Sequence, residues 1–60
     1  MKILYGGLEN YGVVVFIDEN NDLFIADNQI IEQHDNTQEN ILKLINEAKK
    51  IVETWEKESK

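Results

Sequence analysis

The chain has no cysteine, no proline and no arginine, and a single histidine and a single tryptophan. Without cysteine it can form neither a disulfide nor a thiolate zinc site. His34 alone cannot build a histidine-rich metal cluster. Long apolar runs are missing too. The longest, Val13 to Ile17, falls far short of the roughly 18 residues a membrane span needs. The N-terminal stretch "MKILYGGLENYG" breaks into glycines and a glutamate before any apolar run develops, unlike a secretory signal. These absences lead to the expectation of a cytoplasmic protein that contacts no membrane.

Sixty residues suit a single domain, 1–60. A chain this short buries only about 60% of the surface its unfolded form exposes. Small domains compensate with disulfides, a structural metal or oligomerisation, and only the last is left open here. The net charge of -6 is unevenly spread. Residues 1–38 carry seven acids against Lys2 alone, whereas acids and lysines balance from Glu39 onward. Phosphate neutralisation needs clustered cations, so no direct nucleic-acid binding is expected. The lack of arginine, with abundant Ile, Asn, Lys and Glu, suits an AT-rich genome such as that of a low-GC bacterium or its phage.

What is present reads as strands followed by a helix. "MKILY" suits a short strand ended by Gly6 and Gly7, and "LENYG" suits a loop. "VVVFI" and "LFIA" are rich in β-branched and aromatic residues and flank the polar "DENND", the pattern of a hairpin. Asp27-Asn28 signals a second turn and "QIIEQ" a further strand. The periodicity then changes. Ile41, Leu44, Ile45, Ala48, Ile51, Val52 and Trp55 recur at the spacing of one helical face. Asp35, Asn36 and Thr37 are candidate N-caps, and Asn36 with Glu39 fits a capping box. Glu39/Lys43 and Glu53/Lys57 are i,i+4 pairs in the favourable order. The expected fold is α+β: a small antiparallel sheet of three to four strands, then one long C-terminal amphipathic helix on one face.

Strand alternation leaves a surplus. Val13, Val15 and Ile17 face one way while Val14 and Phe16 face the other, and Leu23 and Ile25 oppose Phe24 and Ala26. Both faces are apolar, yet one helix covers only one. A twenty-residue helix, about 30 Å long, also outreaches a strand of roughly 20 Å, which places Val52 and Trp55 on an overhang. Both points favour a homodimer, with Val14, Phe16, Phe24, Val52 and Trp55 as the candidate contacts. Folding back of "MKILY" and the following loop is the alternative cover.

Asp18, Asn20 and Asp22 alternate like the first ligands of a calcium loop. The sixth position, however, is Leu23 where glycine belongs, and the twelfth is Gln29 where a bidentate glutamate belongs. Asp and Asn are also ordinary turn formers. No metal site is expected. His34 beside Asp35 lacks a nucleophile to serve: Thr37 suits a cap, and Thr54 and Ser59 lie far along the helix. Asp18 and Asp22 sit in a turn without apolar walls to raise a pKa. "YGGLENYG" has glycines but no phosphate-loop context. The helix stripe could serve as a coiled-coil seam, but it spans too few heptads and is too broad. Neither an enzyme nor a cofactor is expected.

The hairpin, short strand and "HDNTQENILKLINEAKK" together resemble the partial-RNase-H-like domain of HicB antitoxins, where a strand runs into a threonine-initiated amphipathic helix. The likeness spans roughly residues 13 to 55. The family's Pro-Asp-x-Pro-Gly segment has no counterpart here, and no DNA-binding tail follows. The resemblance implies an antitoxin-like module that neutralises a toxin. From the residues themselves, the expected function is that of a small acidic module that occupies a partner protein's surface, in the manner of a phage- or mobile-element-encoded inhibitor of a host defence protein. Asp18, Glu19, Asp22 and Asp27 are then the candidate contacts to a basic partner, and small metal- or ligand-binding proteins are a further alternative.

Overall fold

A computed structural model describes residues 1–7 and 12–58 of the chain. Four strands, β1 (Lys2–Gly6), β2 (Val13–Ile17), β3 (Leu23–Asp27) and β4 (Ile30–His34), precede one helix, α1 (Gln38–Glu58). The strands form an antiparallel meander in the order β1-β2-β3-β4, and the helix packs on one face. The fold is therefore α+β. Most of "LENYG" lies outside the described residues.

The "DENND" segment sets the register of the central hairpin. Asp18 and Asn21 close a turn through the Asn21 N–H and the Asp18 carbonyl at 3.0 Å, and Asn21 then adopts a φ of 65°. That is a type I turn followed by a left-handed residue, a common three-residue hairpin loop. Asparagine tolerates this backbone better than other non-glycine residues. The turn pairs Ile17 with Leu23 and hence Phe16 with Phe24. The β3–β4 loop is the pair Asn28-Gln29, with Asn28 at φ 57°. Gly6 closes β1 at φ 94°, and a Cβ there would run into the Val13 carbonyl oxygen, so only glycine fits.

The helix begins one residue later than the capping box places it. The Thr37 hydroxyl accepts the Asn40 N–H at 3.1 Å, while the Asn40 side chain donates back to the Asp35 carbonyl at 2.9 Å. Asn36 is not the cap because its amide donates instead to the Asn21 carbonyl at 2.9 Å, tying the helix entrance to the β2–β3 turn. Thr37→Ala is expected to cost about 1 kcal/mol, the usual loss for such a cap. Urea unfolding would measure it, and an unchanged midpoint would contradict the assignment.

Val13, Val15, Leu23 and Ile25 from the sheet meet Leu44, Ala48 and Val52 from the helix in the core. A bulge between Ile3 and Tyr5 lets both Leu4 and Tyr5 turn towards it. Val52 is thus a core residue, 7% exposed, and not part of an overhang. Ile41 in the first turn packs on the core and Asn36 ties the helix entrance to the β2–β3 turn, so the surplus length falls at the C-terminal end. The projecting part starts after Val52, where Trp55 is half-buried.

Candidate protein-binding surfaces

The helix lies over β2, reaches β1 and β3 on either side, and covers little of β4. An α-helix with its side chains is about 10–12 Å wide, whereas the outer axes of four strands are separated by roughly 14 Å. One helix therefore cannot roof the whole sheet. Ile30, on the helix side of β4, remains 62% exposed.

Among the described residues, nothing covers the face away from the helix. Strand register places Ile3, Val14, Phe16, Phe24, Ala26 and Ile31 on it, with Gln33 at its margin. None of these side chains is charged, in a chain where 30% of residues are. Phe16 and Phe24 stack at its centre with ring centroids 5.3 Å apart and an angle of 17°. Beside them, Met1, Ile3, Val14 and Phe16 border a shallow apolar hollow of about 310 Å³. Val14, Phe16 and Phe24 are each half-buried. The accessible surface of the chain is 4560 Å², against about 4,000 Å² for a compact monomer of its mass. Roughly 500 Å² is thus exposed beyond the usual allowance.

The four candidate acids do not form one patch. Asp18, Glu19 and Asp22 cluster at the β2–β3 turn, where Asp18 Oδ1 accepts the backbone N–H groups of Asn20 and Asp22, both at 3.0 Å. This carboxylate organises the turn. Asp27 lies at the opposite end of β3, about 17 Å away along the strand. There it joins Glu32 and Glu47, neither of which was singled out from the sequence. The three acids border a cavity of about 140 Å³ with Ile25, Ile30 and Ile51. Asp27 Oδ1 is shielded from solvent and has no hydrogen-bond partner among the described residues. Glu47 and Ile51 lie one turn apart on the helix, but only the helix's lateral placement shows that they face β4. The signal available in the sequence was width: four strands under one helix must leave an edge open.

Other candidate groups have local surroundings that need no chemistry. His34 Nε2 lies 3.7 Å from Glu32 Oε2, shielded from solvent and without a hydrogen-bond partner among the described residues. The Thr54 hydroxyl donates to the Lys50 carbonyl at 2.9 Å, and Thr37 is the cap. Ser59 lies outside the described residues. Among the described residues, no three His, Cys, Asp or Glu side chains converge as a metal site, and no helix is long and apolar enough to cross a membrane.

Compared with protein-family models, with curated proteins and with solved structures, the chain matches none. The resemblance to HicB antitoxins gains no support from these comparisons.

Proposed function

We propose that this chain is a small acidic protein-binding module that works as a homodimer and acts by occupying the surface of a partner protein. The observation that carries the reading is the open, charge-free apolar face centred on Phe16 and Phe24. Two such faces stacked as a β-sandwich would take the Phe16 and Phe24 rings of both copies out of water. Stacking leaves the acidic turn and the β4 edge free for a second protein. Acidic surface steers association towards a basic partner and selects against acidic ones. The arginine-free, AT-rich type of composition fits a phage or mobile-element gene, and we place the module among inhibitors of host proteins, defence proteins first.

Immobilised protein incubated with lysate of a low-GC bacterial host, followed by mass spectrometry, tests this reading. The expected result is a stable complex with one basic protein, retained through washing at moderate salt. Repeated capture of nothing above background would end the proposal.

A further inference from the structure

The two edges of the sheet are built differently. β1 carries Lys2 and a bulge, two common protections against unwanted pairing. β4 pairs with β3 in unbroken register over all five residues and has no proline, lysine or bulge. All of its residues except His34 are exposed. Its free backbone groups can be identified. The Asn28 N–H donates to the Gly12 carbonyl at 3.4 Å, so alternation directs Ala26 and Phe24 towards β2. Leu23, Ile25 and Asp27 then bond to His34, Glu32 and Ile30 of β4. Ile31 and Gln33 are left with their N–H and C=O groups pointing outward.

The side chains along this edge differ by face. Towards the helix stand Glu32, whose side chain is 63% exposed, and the cavity bordered by Asp27, Glu32 and Glu47 over a floor of Ile25, Ile30 and Ile51. Towards the open face stands Ile31. We infer that β4 takes up an extended segment of the partner protein as a fifth strand, with lysine or arginine on the helix side alternating with apolar residues on the other. Backbone pairing supplies the attachment and the alternating side chains supply selectivity. A cationic side chain laid over the apolar floor would bring its charge to the three carboxylates and its stem to Ile30 and Ile51. A second copy fits poorly. The two-fold register that uses both Ile31 and Gln33 sets Glu32 against its own symmetry mate, a destabilising like-charge pair. This inference rests on the protein-binding reading and specifies its mode.

A capped peptide alternating lysine and valine, titrated into the isotope-labelled protein and followed by NMR, tests it, with a glutamate–valine peptide as control. The lysine peptide should shift β4 amides and slow hydrogen exchange at Ile31 and Gln33 by at least ~10-fold, because these donors become paired. Gln33→Pro removes an outward donor without breaking a ladder bond, so it should keep the fold and lose the peptide. Glu32→Lys leaves the backbone intact and should cut the advantage of the lysine peptide over the glutamate peptide, which covers the case of a misfolded proline variant. Shifts centred on Asp18, Glu19 and Asp22, equal binding of both peptides, undiminished binding by Gln33→Pro, or no shift at millimolar lysine peptide would each overturn strand addition. A lysate partner captured equally by the wild type and by a folded Gln33→Pro variant would overturn this mode alone and leave the protein-binding reading standing.

Discussion

Leu44→Ala is expected to lower the stability of the fold by about 2–5 kcal/mol. Leu44 is fully buried on the helix's inner face, one of seven core residues among those described. Removing a buried leucine side chain costs about 2–5 kcal/mol, as lost transfer energy plus the cavity left behind. A sixty-residue domain at 0.05–0.15 kcal/mol per residue holds roughly 3–9 kcal/mol in total. At mid-range, about 3.5 against about 6 kcal/mol, the loss is roughly half of the stability. Leu42 provides the internal control: it is 57% exposed on the same helix, and Leu42→Ala should move stability by no more than about 0.5 kcal/mol. Urea unfolding followed by circular dichroism distinguishes the two. Equal midpoints for both variants would mean that the helix does not present its Leu44 face to the sheet.

The inner face that carries Leu44 was legible in the sequence, because helical periodicity separates the faces without further information, whereas Leu42, which broadens the apolar stripe in the sequence, is exposed. Also legible were β2, whose five residues match the "VVVFI" run, and the "DENND" turn. The turn length even fixes that Phe16 stands opposite Phe24. Lateral placement was less accessible. Periodicity says which side of a helix is inward but not which strands lie beneath it, so the exposure of β4 and the meeting of Glu47 with Asp27 and Glu32 needed coordinates. Val52 shows the same limit along the helix axis. Comparing helix and strand lengths put Val52 on an overhang, but the position of the buried turns decides where any projection begins. The acids show a third case. Asp22 and Asp27 look adjacent in sequence, yet an extended strand separates them by its whole length.

Phe24→Glu is expected to turn the proposed dimer into a monomer. Phe24 stands at the centre of the charge-free face, half-buried and stacked on Phe16. In a two-fold sandwich the new carboxylates from both copies would enter the same apolar layer without partners. An unpaired charge enclosed in this way costs at least ~3 kcal/mol, or about a 100-fold weaker dimer. Loss of the aromatic pair within one protomer removes only about 0.5–1.5 kcal/mol, so the fold should survive, and circular dichroism would verify it. Light scattering across micromolar concentrations should give twice the 7.0 kDa protomer mass for the wild type and the protomer mass for the variant. Salt supplies an independent check. Each protomer carries a net charge of -6, so screening should tighten the wild-type dimer as ionic strength rises. Association through complementary charges would weaken instead. A wild-type mass of 7.0 kDa at every concentration would remove the sandwich dimer, and the open face would then have to be covered by the partner protein itself.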